Sequence, residues 1–563
     1  MEISVSMKPL EKRDAANRHV WFEEQGWKTG PCSCQHPRPS PTLHDPPINP
    51  VRSSARRIFV ARLALGCSLT LASVAWSQLH VTSDVQAALG RISADSLRKN
   101  VSFLASDLLE GRYTPSPGLE IAAEYIAAQF RRAGLEPAGD DGYFQTAAMV
   151  GVTPNLDGFE FLFESRKRSI RVPKENVERQ GSGPVALTRA SVVKVSGESV
   201  SAMAKRAPDQ ACGKVVLVTP GHPKPFPWGT LAQLRPALVV LVGDGLATGG
   251  QASVHLRYPS DAEPPWLLVQ DAELLKAIDP VKPGPVEASI TVRLAAPTER
   301  ATRLRNVVAL LPGSDAKLKD TYVLLTAHYD HVGGKGDQIR NGANDNASGT
   351  ASIMEVAAAI AGLREKPKRS IVFAAFFGEE RGEMGARHYG QHPLFPIERT
   401  VANINLEQVG RTDDSEGPQI TRASLTGFDY SDVGQTFRRA GQQVGVKIFR
   451  HKKYSDSYFR LSDSPVFADL GIPAHTLWVT YDFPDYHRPG DTWDKLDYGN
   501  LEKITRAVAL GVLTIANTPE PPRWNEANLT FAVGSMWPFV FNDETPKVYT
   551  TNAALWAAWT PLV

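Results

Sequence analysis

Residues 321–334 read TYVLLTAHYDHVGG, an apolar, β-rich run that ends in His328, Asp330 and His331. Residues 341–363, NGANDNASGTASIMEVAAAIAGL, place Asp345 just ahead of a helical pattern. Residues 369–389, RSIVFAAFFGEERGEMGARHY, give a second buried-strand run that ends in Glu379 and Glu380. Residues 401–411, VANINLEQVGR, give a third that ends in Glu407. Short continuous apolar runs bounded by turn residues read as strands buried on both faces. Strands alternating with helical patterns imply an α/β fold, a mixed and mostly parallel sheet flanked by helices. Each strand delivers a metal-binding type of side chain at its C-terminal end, the edge where ligands bind in open α/β sheets.

Zinc and related ions take His nitrogen and carboxylate oxygen at ~2.0–2.2 Å. A pair of such ions ~3.5–4 Å apart needs a shared ligand between them and further ligands on each side. His328, Asp345, Glu380, Glu407 and His487 supply such a set, and Glu379 is left over beside Glu380. Neighbours on an extended chain point to opposite sides, but a turn at the strand end relaxes that rule. Taken singly, His328 reads as a structural histidine and Glu379–Glu380 as a solvated turn. The joint pattern outweighs those readings. His331, His388 and His475 keep the structural one.

The motifs TAHYDHVG (326–333), NGANDNASG (341–349), FFGEERGEMGARHY (376–389), INLEQVGR (404–411) and YHRPGDTWDKL (486–496) resemble the M28 family of zinc peptidases. Upstream, LASDLLEGRYTPSPG (104–118) and YIAAQFRRAGLEPAGDDGYFQ (125–145) are similar to that family's N-terminal region, and the segment between resembles a protease-associated domain. The resemblance implies a zinc exopeptidase-like sheet with two Zn2+. His328 and Glu407 would hold one ion, Glu380 and His487 the other, and Asp345 would bridge them. Glu379 would be the general base toward a metal-bridging water, Asp330 would orient His328, and Tyr486 would stabilise the oxyanion. Many relatives carry Asp where this chain has Glu407, which bears on substrate preference more than on the chemistry.

The chain has 563 residues, enough for several folding units. Its 42% hydrophobic content supports large cores, and a formal charge of +2 without Lys/Arg-rich runs points away from nucleic acid. Residues 54–78, SARRIFVARLALGCSLTLASVAWSQ, order a basic region, an apolar core and small residues, as a secretory signal does. The apolar part is too short for a comfortable permanent span. The expected protein is therefore exported, periplasmic or extracellular, with no stable membrane span; a lipoprotein anchor at Cys67 is the weaker alternative. Removing residues 1–77 takes away ten basic and six acidic side chains, which turns +2 into −2. Of the four cysteines only Cys212 remains, so no intrachain disulfide can form.

The expected organisation is a leader over 1–77, the start of the peptidase domain over 78–149, a β-rich insert over 150–297, the catalytic domain over 298–517 and a tail over 518–563. The helical repeat over 93–112 places Leu97, Val101, Leu104 and Leu108 on one packed face. Asp271 is a plausible helix cap, and His222 reads as a loop residue. The expected partners are peptides or small proteins. Hydrolysis at the N-terminal end is favoured over a carboxypeptidase, whose obvious carboxylate partner is Arg488, with Asp482 and Asp485 as weak candidates for the amine. A glutaminyl-cyclase-like enzyme and a non-catalytic binding ectodomain are the remaining alternatives. N-terminal sequencing of exported protein should start near Gln78; a mature chain beginning before Arg56 would contradict the signal reading.

Overall fold

The computed structural model describes residues 81–525 except 182, 196–207, 220–233, 244–253 and 260–264. The expectations for the leader, for Cys67, for His222 and for most of the tail lie outside the described residues. Three helices come first: α1 (Ser83–Leu89), α2 (Ala94–Leu104) and α3 (Pro117–Arg132). Each has a Thr or Ser cap whose hydroxyl accepts from the first turn, at Thr82, Ser93 and Ser116. The long strand β1 (Phe144–Thr153) follows.

The next stretch builds a sheet of its own. It comprises β2 (Glu160–Ser165), β3 (Ser169–Arg171), β4 (Val177–Gln180), β5 (Val185–Val195), β6 (Val215–Val218) and β7 (Leu238–Val242). β8 (His255–Arg257) leaves this sheet, while β9 (Trp266–Val269) and β10 (Gly284–Leu294) complete it. The order is β3–β2–β10–β5–β6–β7–β9–β4. Its valines, leucines and phenylalanines form a core separate from that of the main sheet. Helix α4 (Ala272–Ile278) is capped by the Asp271 carboxylate, 2.8 Å from the Leu274 amide.

The main sheet adds β11 (Thr298–Leu311), β12 (Tyr322–His328), β13 (Ser370–Phe376), β14 (Thr400–Glu407), β15 (Arg422–Leu425), β16 (Lys447–Phe449) and β17 (Ala474–Trp478). Its order is β16–β15–β17–β14–β12–β13–β11–β1–β8. The centre, β17–β14–β12–β13, is parallel, while β11 and β1 form antiparallel pairs beside it. The four parallel strands therefore end on one edge. Nearly every residue of β12, β13, β14 and β17 is buried, as continuous apolar runs require. Helices α5 (Ser348–Ala361) and α6 (Met384–Gln391) follow β12 and β13, and α7 (Val433–Gln443) packs with α8 (Tyr498–Asn517) on the sheet. No helix among the described residues is long and apolar enough to cross a membrane.

One expectation fails. Leu97, Val101 and Leu104 are buried, but Leu108 is 84% exposed. Helix α2 stops at Leu104, and the chain continues as a tight turn over Asp107–Arg112 with left-handed Glu110 and Gly111. The break in phase lets Leu109 take the buried position.

His388 and His475 are packing residues. His388 meets the Tyr258 hydroxyl at 3.1 Å, and burial pushes its pKa down to about 4. His475 lies fully buried on β17, 2.8 Å from the Thr426 carbonyl and 2.6 Å from Ser431 Oγ. The carbonyl requires Nδ1 to carry the proton, so Nε2 accepts from the serine. Burial pushes its pKa down to about 4 as well, with the Thr426 carbonyl opposing. The unfolded ring titrates near 6.5, so this stabilising term is full above that pH and is lost as pH falls toward 4. The denaturant midpoint should therefore drop between pH 7.5 and 4.5, and drop less in His475→Gln; equal drops would refute the assignment.

Candidate metal centre

The parallel strands aim their C-terminal ends at one place. His328 is the last residue of β12 and Glu407 the last of β14. Glu379 and Glu380 lie on a single turn just past β13, and His487 on the loop after β17. Asp345 sits on the irregular segment Ala343–Ala347 ahead of α5. The structure thus brings all eight residues expected from the sequence into one cluster or against it.

Asp345 lies between two imidazoles. Its Oδ1 is 3.4 Å from His328 Nε2, and its Oδ2 is 3.3 Å from His487 Nε2. His328 Nε2 is also 3.3 Å from Glu407, and His487 Nε2 is 3.1 Å from Glu380 Oε1. Two ligand groups result, His328–Asp345–Glu407 and His331–Asp345–Glu380–His487, each with donor atoms within 4.8 Å of one another. They share one carboxylate with an oxygen toward each side. The donors are imidazole nitrogen and carboxylate oxygen, and His487 Nε2 faces carboxylate oxygens of both Asp345 and Glu380. This donor set fits a pair of zinc-like ions.

The electrostatics agree. Asp330, Asp345, Glu407, Asp463 and Asp491 are buried here beside the partly covered Glu379 and Glu380. Neither carboxylate oxygen of Asp463 has a hydrogen-bond partner. Burying so many carboxyls requires either cations or protons to offset their charge, and burial raises Asp463 well above the carboxylate range. Burial raises Glu379 well above the usual carboxylate range, with His328 opposing and Glu407 and Glu380 adding to the rise. Burial also pushes Glu380 up, but His487 and His331 outweigh it and hold that carboxyl far below its ordinary value. The two adjacent glutamates thus meet different surroundings, Glu380 between two imidazoles and Glu379 among carboxylates and His328.

Several supports were not apparent from the sequence. His331, read there as structural, is buried with Nδ1 2.9 Å from Glu380 Oε1. Ser462 donates to Glu407 Oε2 at 2.6 Å. Asp491 accepts from the amides of Asn344 and Asp345 at 3.0 and 3.1 Å, which holds the Asp345 loop. The closeness of His331 to Asp330 and His328 in the sequence is the available signal for it; Asp491 has only its place in the motif YHRPGDTWDKL, and Ser462 has none. Asp330 takes Thr114 Oγ1 at 3.0 Å and the Glu379 amide at 3.1 Å, with its Oδ1 3.5 Å from His328 Nδ1. Tyr486 stacks on His487 at 3.9 Å, and burial, reinforced by Asp345 and Glu380, keeps its phenol protonated. Asp485 is engaged by Arg411 at 2.9 Å and Lys495 at 2.8 Å, while Asp482 and Arg488 are exposed.

Residues 306–512 match peptidase family M28. Over these residues the chain carries the sequence pattern of that family. An aminopeptidase, YwaD of Bacillus subtilis (strain 168), is 28% identical over 240 residues, covering 41% of this chain and 49% of the relative. A probable zinc metalloprotease of Pyrenophora tritici-repentis (strain Pt-1C-BFP) is 38% identical over 259 residues, covering 39% of this chain and 58% of the relative. The chain thus spans about half the length of these curated relatives. The solved aminopeptidase from Aneurinibacillus sp. strain AM-1 shares the fold, with a TM-score of 0.51 at 21% identity over 78% of this chain and 97% of that one.

Because each ligand group uses one oxygen of Asp345, Asp345→Asn should lose zinc from both, whereas Glu407→Gln should lose it from the His328 side alone. Elemental analysis after dialysis against a weak chelator reads the difference. Wild-type zinc content in Asp345→Asn would remove Asp345 from the bridging position.

Proposed function

We propose that this M28 protein is an exported binuclear zinc exopeptidase that hydrolyses the N-terminal peptide bond of peptides or small proteins. The observation that carries the reading is Asp345, with an oxygen toward each of two ligand groups and Glu379 3.9 Å from His328. Bound zinc supplies Lewis acidity and lowers the pKa of water.

The chain's own residues do the rest. Glu379 takes one proton from the attacking water as the water oxygen joins the scissile carbonyl carbon. The C–N bond then breaks, and Glu379 returns the proton to the leaving amine. The Glu379 carboxylate lies 3.9 Å from His328 Nε2, and its amide, anchored on Asp330, fixes the turn from which it acts. The Tyr486 hydroxyl is a neutral donor beside His487, suited to the developing oxyanion. The signal-like pattern over 54–78 supports export. The separate core of the β-rich segment supports reading 150–297 as a protease-associated insert that walls the site.

The end of the chain that is cut rests on resemblance, since Asp485 is already paired and Asp482 is exposed. The exposed Arg488 next to His487 favours a carboxypeptidase as the second reading, because Arg binds carboxylate in bidentate fashion. Zinc-loaded protein should cleave a free peptide, lose turnover when the N-terminus is acetylated and keep it when the C-terminus is amidated. Glu379→Gln should retain zinc and lose ~10²–10⁴-fold in kcat. The opposite end-group pattern, with Arg488→Ala lowering kcat/KM, selects the carboxypeptidase. Zinc content that never exceeds one ion per chain selects the cyclase.

A further inference from the structure

Glu379 and Glu380 stand on a turn with little support of its own. It is one turn long, and Gly378, Gly382 and Glu383 around it have φ of 68°, 98° and 58°. Its internal bonds are short-range, such as Arg381 N to the Gly378 carbonyl at 3.2 Å and Gly382 N to the Glu379 carbonyl at 2.9 Å. A segment of this kind keeps its shape only when its surroundings dictate it.

Arg381, the third residue of the turn, carries that connection. Its guanidinium donates to the Tyr113 hydroxyl, to the Thr114 carbonyl at 3.4 Å and to the Val254 carbonyl, and it lies 5.3 Å from the Tyr113 ring centroid. Tyr113 pairs with His331 through the backbone, and the Thr114 hydroxyl holds Asp330. Val254 leads into β8, the strand that leaves the insert and pairs with β1 at the edge of the main sheet. One side chain therefore joins the N-terminal region, the β8 edge of the main sheet and the glutamate turn. All three acceptors are neutral oxygens, so its contribution is one of position. A planar five-donor fork can serve three acceptors set apart in this way; a lysine ammonium cannot.

We propose that Arg381 is a positioning residue through which the N-terminal region and the β8 edge of the main sheet hold the Glu379–Glu380 turn in its working geometry. The catalytic part of this inference rests on the roles given above to those two glutamates; the mechanical part does not. A second position reaches the same contact from the other side. A Cβ on Gly151 of β1 would lie 3.1 Å from Val254 Cγ1 and 3.1 Å from Thr302 Oγ1. Gly151→Ala thus presses on Val254 without touching the metal centre.

The test uses the full chain. With zinc bound, Arg381→Ala should lose ~10–100-fold in kcat, the cost of a misplaced group, with zinc content and KM near wild type, and Arg381→Lys should recover only part of the loss. Gly151→Ala should lower kcat less, and should add nothing in the Arg381→Ala background, because both act through one contact. Amide hydrogen exchange over 378–384 in zinc-free protein should be faster in Arg381→Ala than in wild type. Faster exchange in a protein that hydrolyses no peptide supports the clasp and removes the peptidase reading. Wild-type kcat and exchange in Arg381→Ala, or losses from the two substitutions that simply multiply, overturn the proposal.

Discussion

A carboxylate shared between two imidazoles is the constraint on which the rest of the structure depends. Asp345 can face His328 and His487 at once only if the end of β12, the Ala343–Ala347 segment and the His487 loop are held in register with one another. Parallel strands provide the coarse placement by ending together. The fine placement comes from side chains that bind backbone. Asn344 accepts from the amides of Gly410 and Arg411 and donates to Thr480, which ties two loops to the segment that carries Asp345. Asp491 holds the same segment from the His487 side.

Arg112 performs the same service at the centre. It is fully buried, and its guanidinium donates to the carbonyls of Leu104, Tyr329 (2.7 Å), Asn341 (2.7 Å) and Gly342 (3.0 Å). Burial lowers its pKa to about 10, while Asp330, Asp491 and Asp345 pull the other way and keep it charged. A buried cation satisfied by carbonyls alone is costly unless negative charge lies nearby. The acidic cluster supplies that charge, and Arg112 in turn fixes the loops that display it.

The sequence made the chemistry of this site legible because His and carboxylate at strand ends are informative by type and position. The buried strands were readable for the same reason: an apolar run of that length, bounded by turn residues, fits little besides a buried strand. What escaped depended on contacts between distant segments. Leu108 fits a helical repeat, but the left-handed Glu110 and Gly111 belong to a turn that closes against other loops. His331 looks like any histidine near a strand end until Glu380, 49 positions later, arrives beside it. Asp485 looked available for a substrate amine because nothing local shows that Arg411 reaches it across 74 positions. Ser462 carries no signature at all, and Arg381 only its place beside the glutamate pair, since a hydroxyl or a guanidinium acquires a role only from what it meets.

The pairing of β1 sets the order in which the molecule can be assembled. Thr153 faces Thr298 across the ladder, so the entry and exit of the long excursion between them are neighbours in space. The other edge of β1 is taken by β8. Both partners of this ten-residue strand are synthesised after it, the nearer one about a hundred residues later. While the chain is growing, β1 therefore remains an unpaired strand, the kind of edge that invites association with other chains. Whatever receives the nascent chain must shield residues 144–153 until that first partner strand has been made.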